Sequence, residues 1–238
     1  RGLGEEFVRR EPVKRLIMIV EGPTEAEFVR EILYERFQAR GIDCSPRPVV
    51  TSMDERHGRK YSGGVFNYAK VKADIVEQGP AVFYTTMFDY YGRIKGFPGY
   101  DEASRLSNYA AVQKLEQSLL DDIQKALPNF DASGHFIPNF LCHEFEALLL
   151  TDISKLAGFY IGKEKEISRL AQEVEECGNP EFVNTSEETA PSKRILKAVP
   201  NYDKVLCGTV VADDIGFEKI VASCRHFREW LERLYVLA

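Results

Sequence analysis

The sequence predicts an α/β fold, with a mostly parallel sheet flanked by helices and a helical C-terminal extension. Leu16–Val20 is a short, continuous apolar run, which is typical of a strand buried on both faces. Further apolar runs alternate with helical patterns, whereas from about Lys155 onward the pattern is helical only. We therefore expect an α/β core at residues 14–154 and a helical part packed on this core at residues 155–238.

Composition restricts the class of protein. The formal net charge of −6 argues against a protein that coats nucleic acid by bulk electrostatics, because non-specific affinity depends on Lys and Arg contacts with phosphates. No stretch approaches the roughly 20 apolar residues that cross a bilayer, and residues 1–10 lack the apolar centre of a secretion signal. The five cysteines form no C-x-x-C pair, so reduced, mostly buried thiols in a cytoplasmic protein without membrane contact are expected.

The first strand ends at a turn that leads directly into a helix. Glu21-Gly22-Pro23 breaks the apolar run, and Thr24 followed by Glu27 has the capping-box form of a helix start. The helix is expected to continue to about Gln38. Strand, tight turn and helix therefore follow one another without a linker.

Glycine and proline breakers separate the remaining elements. Strands are expected at Pro48–Thr51, Ala81–Phe88 and Phe136–Cys142. Helices are expected at Phe66–Gln78, Ala103–Leu127, from Glu146 to about Leu156, at Glu164–Glu176, after Pro191 and at Phe217–Leu234. The alternation implies right-handed crossovers and parallel pairing, but it does not give the order of the strands in the sheet.

Acidic residues follow three of the expected strands. Glu21 follows the first strand, and Glu25 lies one helical turn later. Asp89 closes the third strand, and Glu144 and Glu146 follow the fourth, with Glu144 expected to point inward. Each acid alone also fits a structural role, as a loop residue, a first-turn helix residue or a turn former. Their shared position favours a site, because ligand sites of parallel sheets collect at the carboxyl ends of the strands.

Such a group of acids repels itself unless protons or cations neutralise it. Carboxylate oxygens suit Mg²⁺ or Mn²⁺, and the lack of a Cys/His cluster in the sequence disfavours zinc. These metals can activate a water and bridge the oxygens of a phosphodiester. The acids therefore predict a metal-dependent enzyme that hydrolyses or transesterifies the backbone of nucleic acid.

Basic residues that could bind nucleic acid occur in two segments. Arg56, Arg59 and Lys60 belong to a turn-rich stretch that we expect to form no regular element, and a merely solvated loop is an equally good interpretation. Lys193 and Arg194 lie at an expected helix start, where two exposed cations are ordinary. A cation brought from there over the acids would stabilise the charge of a phosphoryl transition state.

Other residues admit a chemical interpretation that we do not favour. His143-Glu144 resembles the start of an H-E-x-x-H metalloprotease helix, but Ala147 replaces the second histidine. His143 is expected to pack or to support the acids. Tyr90-Tyr91 is expected to pack instead of supplying a covalent nucleophile, and Asp213-Asp214 to cap a helix.

Several motifs together resemble TOPRIM domains. Val20–Glu25 resembles their E-G-x-x-E opening, particularly that of the overcoming-lysogenization-defect nucleases. With Phe88–Gly92, His143–Leu148 and Pro191–Ile195, the chain resembles an uncharacterised bacterial TOPRIM-like family, a domain of unknown function of roughly this length. The resemblance covers most of the chain, and the combination is more specific than any single motif.

This resemblance implies a TOPRIM-like α/β core, divalent-metal nuclease chemistry and association with an ABC-type ATPase in defence against phage. Carried over by motif, Glu21 and Glu25 would hold one metal together with Asp89. Glu144 would serve the same metal or a second one. Lys193 would contact phosphate.

One departure from the family pattern leaves alternatives open. TOPRIM domains usually present D-x-D after the relevant strand, and this chain has Asp89-Tyr90-Tyr91. A second metal would then need Glu144 or Glu146, or the protein works with one metal, or it is inactive as a nuclease. The alternative function is a catalytically silent TOPRIM module that binds an ATPase partner or nucleic acid. A Rossmann-type phosphotransferase ranks last, because the sequence has neither G-x-G-x-x-G after the first strand nor a P-loop.

Overall fold

The computed structural model describes residues 13–49, 52–54, 59–61, 67–78, 82–92, 94–129, 131–184 and 187–237, and only the backbone of residues 52–54, 59–61, 78 and 187. It confirms the predicted fold class, since a mostly parallel sheet is flanked by helices and followed by a helical C-terminal region.

The strands are β1 (Lys14–Val20), β2 (Ile42–Pro48), β3 (Ser52–Asp54), β4 (Arg59–Tyr61), β5 (Phe83–Asp89), β6 (Phe136–Ile137) and β7 (Phe140–Leu141). The first helices are α1 (Pro23–Phe28), which continues through a π-helical turn (Val29–Leu33) into α2 (Tyr34–Gln38), then α3 (Tyr68–Gln78), α4 (Tyr100–Ala103), α5 (Asn108–Ala126) and α6 (Ala132–His135). The later helices are α7 (Glu146–Leu149), which continues as a 3₁₀ segment (Leu150–Gly158), then α8 (Glu164–Cys177), α9 (Pro191–Ala198), α10 (Lys204–Ile215), α11 (Phe217–Ser223) and α12 (Arg225–Tyr235).

The main sheet is parallel and has the order β2-β1-β5-β6, with β7 also paired to β5. β6 and β7 are two pieces of the strand expected at Phe136–Cys142. Pro138 interrupts it because proline has no N–H for the ladder. Between β6 and β7, the side chain of Thr86 replaces the missing backbone hydrogen bonds. Its hydroxyl donates to the carbonyl of Asn139 (2.9 Å) and accepts from the N–H of Asn139 (2.8 Å).

Two predictions about extended segments were wrong. β2 lies at Ile42–Pro48 and not at Pro48–Thr51, of which residues 50 and 51 lie outside the described ranges. As the outermost strand of its sheet, β2 tolerates Pro46 and Pro48. The stretch around Arg59 and Lys60 was expected to lack regular structure, but β3 and β4 form an antiparallel pair there. Glycine-containing turn residues beside extended runs are also the pattern of a hairpin.

The helix predictions need three corrections. The helix expected at Ala103–Leu127 begins later, at Asn108, as α5, and Ala103 is instead the last residue of the short helix α4. The helix expected at Phe217–Leu234 is divided at Cys224, because the buried carboxylate of Glu181 accepts the first free N–H groups of α12. Sequence analysis missed α10 entirely, since its glycine and β-branched residues have low helix propensity.

Both faces of the main sheet are covered by apolar side chains. In β1, Leu16, Met18 and Val20 face the cluster that contains the C-terminal helices. Ile17 and Ile19 face the opposite cluster, which contains α3 and α5. The boundary expected near Lys155 lies inside the 3₁₀ segment, so no break in the chain marks it.

The C-terminal helices are joined to the sheet by a buried polar contact as well as by apolar packing. The indole Nε1 of Trp230 donates to Thr85 Oγ1 at 2.8 Å, and that hydroxyl donates to the carbonyl of Ile137 at 2.6 Å. All five cysteines are free, and Cys177 is the exposed one. Over the described ranges, none of the helices combines the length and apolar character required to span a membrane.

Candidate active site

The strand order brings the expected acids to one edge of the sheet. β5 lies between β1 and β7, so the carboxyl ends of these three parallel strands are neighbours. Glu21 follows β1, Asp89 is the last residue of β5, and Glu146 begins α7 shortly after β7. Glu25 enters from the first turn of α1. We call Glu21, Glu25, Asp89 and Glu146 the acid cluster.

Lys204, the first residue of α10, lies among these acids. The distances from its Nζ are 2.9 Å to Glu25 Oε1, 3.3 Å to Asp89 Oδ2 and 3.5 Å to Glu146 Oε2. The three carboxylate side chains are nearly inaccessible to solvent, whereas 27% of the lysine side chain is exposed. One ammonium therefore bridges acids delivered by three different elements.

The start of α10 is built to place Lys204 there. Asp203 caps the helix, since its carboxylate accepts the N–H groups of Val205 and Leu206. One turn later, Gly208 allows close packing, because a Cβ at this position would lie 3.2 Å from side-chain carbons of Phe145 and Thr24. Sequence analysis did not single out Lys204. The available signal was a lysine directly after a capping aspartate and one turn before a glycine.

Asp89 connects the end of β5 to the start of the next helix. Its Oδ1 accepts the backbone N–H of Phe145 at 2.8 Å, and its Oδ2 faces Lys204. The ring of Phe145 lies below the same ammonium, with 5.4 Å between Nζ and the ring centroid. The carboxylate is thus fixed in orientation on both of its oxygens.

Glu21 lies against the turn that follows β5. A Cβ on Gly92 would come within 2.5 Å of Glu21 Oε2 and 2.8 Å of the carbonyl oxygen of Asp89. The charge of Glu21 also contributes to raising the pKa of Asp89. Only glycine therefore allows the carboxylate of Glu21 this close approach to the end of β5.

The acid cluster carries more negative charge than its lysine neutralises. Burial raises the pKa of Asp89 well above its usual value; Lys204 opposes this rise, and the other three acids add to it. Burial likewise raises the pKa of Glu146. Burial alone would lower the pKa of Lys204, but the surrounding carboxylates raise it well above its usual value. The site consequently favours binding of a proton or a further cation.

Glu144 was expected to point inward, but the structure places Glu146 there instead. Glu146 is the inward carboxylate, buried in the acid cluster. Glu144 is half-buried and accepts the backbone N–H of Ser192 at 2.9 Å, so it caps α9. The two acids therefore serve different elements, since Glu144 contacts the start of α9 and Glu146 contacts Lys204 at the start of α10.

His143 is in a strained turn between β7 and α7. Its φ is +70°, and the N–H of Glu144 donates to the carbonyl of Cys142 at 3.0 Å, which is the hydrogen bond of a γ-turn with positive φ. Backbone strain of this kind clusters at functional sites. Burial lowers the pKa of the imidazole to about 4, so the ring is neutral near pH 7. It stacks on Tyr91 at a centroid distance of 5.2 Å, which agrees with the expected packing role.

The expected basic residues lie elsewhere. Lys193 is on the exposed side of α9 and lines a surface cleft together with Arg169. The position next to the acids that was expected for Lys193 is occupied by Lys204. Arg194 pairs with Glu173 at 3.0 Å. Arg56 lies outside the described residues, and for Arg59 and Lys60 the structure gives the backbone alone. Their contacts with nucleic acid therefore stay predictions.

Asp213 and Asp214 do not cap a helix start. They lie in the last turn of α10, and Asp203 has the capping role instead. Gly216 ends this helix with a positive φ of 91°. An Asp-Asp-x-Gly sequence is ambiguous, because glycine ends helices as readily as aspartate begins them.

The donor atoms of the acid cluster fit a hard divalent cation. All are carboxylate oxygens, which suit Mg²⁺ or Mn²⁺, and the nearest histidine, His143, faces Tyr91. Within the described ranges, no three His, Cys, Asp or Glu side chains are already arranged to hold a metal ion. The ammonium of Lys204 lies between the carboxylates, so a metal would have to displace it.

The comparison with protein families assigns the chain to one of them. A family model described as a domain of unknown function, DUF4276, matches residues 20–235. The chain belongs to the DUF4276 family. The match extends over both the α/β part and the helical part, so the acids and Lys204 of this DUF4276 protein all lie within the matched range. The searches of curated proteins and of solved structures found no match for this DUF4276 chain.

Proposed function

We propose that this protein is a divalent-metal-dependent nuclease of TOPRIM type that hydrolyses phosphodiesters of nucleic acid. One observation carries the proposal: carboxylates from the ends of adjacent parallel strands converge on a single lysine. The excess of negative charge gives a reason to bind Mg²⁺ or Mn²⁺, and the resemblance of the sequence to TOPRIM motifs supplies the reaction class.

The acid cluster would hold the metal, with Asp89 as its most constrained member. Its hydrogen bond to Phe145 fixes the carboxylate before any ligand arrives, so little reorganisation is needed on binding. When bound, the cation would supply a polarised phosphate oxygen and an activated water. Glu144 holds the start of α9 next to the acids and would act as a positioning residue.

Lys204 has two roles in this proposal. Without a ligand its ammonium neutralises part of the acid cluster. With a metal bound, its partly exposed side chain would turn outward and contact the substrate phosphate. It thereby replaces Lys193 as the leading candidate for stabilising the negative charge of the transition state.

The biological setting follows from the TOPRIM resemblance. We propose a cytoplasmic protein that acts in defence against phage together with an ABC-type ATPase. The residues proposed to bind nucleic acid are Arg56, Arg59, Lys60, Lys193 and Arg194. One variant would neutralise Arg56, Arg59 and Lys60, and a second would neutralise Lys193 and Arg194. Loss of nucleic-acid binding in the first variant only would assign the contact to the segment that contains Arg56, Arg59 and Lys60.

A catalytically silent TOPRIM module is the second candidate. Two observations favour it: Tyr91 stands where TOPRIM domains usually carry a second aspartate, and Lys204 already neutralises part of the acid cluster. Such a module would bind an ATPase partner or nucleic acid without cutting. The two candidates differ in whether the isolated chain cleaves when metal is supplied.

The deciding experiment is cleavage of supercoiled plasmid, linear duplex, single-stranded DNA and RNA with Mg²⁺ or Mn²⁺. Asp89→Asn removes one charge from the acid cluster, and Asp213→Asn is the matched control on an exposed residue of α10. Circular dichroism establishes that both variants fold. Metal-dependent cleavage that is lost only in Asp89→Asn supports the nuclease. No cleavage by the wild type, alone or with a candidate ATPase, supports the silent module.

A further inference from the structure

A cavity is formed in part by the residues that directly follow Asp89, and the proposed function has not yet given it a role. Its volume is about 350 Å³, at the small end of the roughly 300–1,000 Å³ range of ligand sites. Three tyrosines line it, Tyr90, Tyr91 and Tyr100, together with His143 and Asn184. Its lining therefore combines aromatic rings with hydrogen-bonding groups.

The aromatic rings of this cavity are held in place by their neighbours. Tyr91 stacks on His143 with an interplanar angle of 14°, and its hydroxyl accepts from the side-chain amide of Asn184. Tyr90 tilts against Tyr91 at 5.4 Å, and its hydroxyl contacts the carbonyl of Ala103. Fixed, half-buried rings form stacking surfaces at low entropic cost, as in proteins that bind single-stranded nucleic acid.

The hydrogen-bonding groups that a ligand in this cavity can reach are those of exposed polar residues. His143 lines the cavity, but its Nε2 is buried, and its ring instead supports Tyr91 by stacking. Ser104, Ser107 and Asn108 line the same cavity and are exposed to solvent. Hydroxyl and amide groups both donate and accept hydrogen bonds. They can therefore pair with the edge of a heteroaromatic ligand.

The rim of the cavity also favours a phosphate. Ser107 and Asn108, at the start of the 19-residue helix α5, line it. The first turn of α5 has no acidic residue, and the side chain of Ser107 makes no capping hydrogen bond. The N–H groups of this turn and the helix dipole attract anions.

The position of the cavity connects it to the chemistry of the acid cluster. Tyr90 and Tyr91, which line the cavity, directly follow Asp89, so their Cα atoms lie within roughly 7 Å of the Cα atom of Asp89. A strand with one base in the cavity would thus pass near the end of β5. A base inside a duplex cannot reach such a cavity without leaving its stack.

We infer that this cavity binds one nucleobase of a single-stranded nucleic acid, and that it sets which phosphate lies over the acid cluster. The inference rests on the proposed nuclease function and narrows its substrate to unpaired strands or to duplexes with an extruded base. A free nucleoside offers the same aromatic base for stacking, and the test separates the two sources.

The test measures quenching of 2-aminopurine fluorescence, which reports stacking without requiring cleavage. The probes are the 2-aminopurine nucleoside, a short single strand with one 2-aminopurine, and the same strand in a duplex, each with EDTA and with Mg²⁺. Tyr100→Leu removes a stacking face, Tyr100→Phe retains it, and Tyr34→Leu is the matched control on α2.

A second pair of variants leaves the packing intact. Leu106→Glu places a negative charge at the exposed rim of the cavity, and Ile161→Glu places one at a remote, exposed position. Both residues are accessible to solvent, so both variants are expected to fold like the wild type. Only the first would repel the backbone of a bound strand.

We expect the protein to quench the 2-aminopurine fluorescence of the single strand but not that of the duplex. The affinity for the single strand should be about tenfold or more weaker in Tyr100→Leu and Leu106→Glu. The phenylalanine variant and both controls should match the wild type. Quenching of the nucleoside alone would identify a free nucleoside ligand and overturn the strand assignment. Absence of quenching, or quenching unchanged in the two cavity variants, would overturn the base site even if the protein cleaves DNA. Quenching without cleavage would retain the base site and reject the nuclease.

Discussion

The single ammonium of Lys204 contacts three carboxylates, so its replacement reveals how much these contacts contribute to folding. In Lys204→Gln the buried acids lose their cation, and we expect a loss of roughly 2–4 kcal/mol in the free energy of unfolding at neutral pH, less than a fully buried pair because the lysine is partly exposed. Urea titration measures it. Lys193→Gln, on the exposed side of α9, is the control and should change stability by less than about 0.5 kcal/mol.

The same variant should acquire a distinct pH dependence. Burial raises the pKa of Asp89 and Glu146, and Lys204 opposes both shifts, so its loss raises them further. A carboxyl whose pKa is raised in the folded state contributes most to stability at pH values below its unfolded-state pKa. It loses this contribution as pH rises through its folded-state pKa. Relative to the wild type, Lys204→Gln should therefore lose stability as pH rises through the folded-state pKa values of Asp89 and Glu146, which lie above the usual carboxyl range. A constant difference between the two proteins at all pH values would contradict this.

His226 makes a second pH-dependent contribution to stability, this time from a basic side chain. Its Nε2 lies 2.8 Å from Glu116 Oε1 in a buried pair. Although burial favours the neutral ring, the hydrogen bond and charge of Glu116 raise the pKa of His226. The pair therefore stabilises the fold fully below the ordinary histidine pKa and loses this contribution as pH rises through the raised value.

We expect the wild type to lose roughly 1–3 kcal/mol of this contribution as pH rises above about 6.5, since that is the usual strength of a hydrogen bond to a charged group. His226→Gln should lack this part of the pH dependence in urea titrations. His135→Gln, at a half-buried position away from this pair, serves as the control and should retain it.

The turn after β5 depends on Gly92. In Gly92→Ala the added Cβ meets the carboxylate of Glu21 and, more seriously, the backbone carbonyl of Asp89, which cannot rotate away. We expect a loss of about 1–3 kcal/mol in unfolding free energy and weaker binding of Mn²⁺, measured by calorimetry. A Cβ on Gly158 would meet nothing within 4 Å, so Gly158→Ala is the matched control and should be near neutral.

Helix α10 needs Gly208 in order to lie close to α1 and α7. Gly208→Val inserts two methyl groups beyond a Cβ that is already 3.2 Å from Phe145 and Thr24. We expect a loss of about 1–3 kcal/mol from overpacking, and displacement of Lys204 one turn away should mimic part of the pH dependence of Lys204→Gln. Ala222→Val, on the exposed side of α11, is the control, and equal effects of the two substitutions would contradict the close-packing argument.

Local patterns in the sequence predict most elements of this fold and four of the acids, but not how they meet. Leu16–Val20 is identifiable as a buried strand because its whole environment is apolar, and that environment is a local property. The pairing of β5 with both β1 and β7 is a long-range property that no local pattern contains. Without it, the meeting of Asp89 and Glu21 was an expectation only.

The details that sequence analysis missed are those in which packing overrides propensity. α10 has a glycine and several β-branched residues, yet it forms because the apolar cluster covers it. Lys204 looks like an ordinary exposed residue at a helix start until the helix is placed on the acids. The inward position of Glu146, and not of Glu144, depends on where α9 and α10 lie, because the two acids contact the starts of these two helices.

For the molecule as a whole, a bound divalent cation should appear as added stability. At a concentration of about 100 times the dissociation constant, the gain is roughly 2.7 kcal/mol, or about 5–10 °C in Tm for a chain of this length. Trp230 is the single tryptophan and is buried against Thr85, so its fluorescence reports the transition. Asp89→Asn should remove the shift produced by Mn²⁺ and Asp213→Asn should not; an equal shift in both would place the cation elsewhere.

The hydrogen bond between Trp230 and Thr85 joins residues 145 positions apart, which has a consequence for biosynthesis. At about 5–20 residues per second, a ribosome needs roughly 7–30 s to proceed from β5 to the helix that covers it. During that interval the apolar face of the nascent sheet is uncovered and open to chaperones. Lys204 is synthesised 115 residues after Asp89, so the acids remain mutually repelling until then. Assembly of the candidate site therefore waits until α10 has been synthesised.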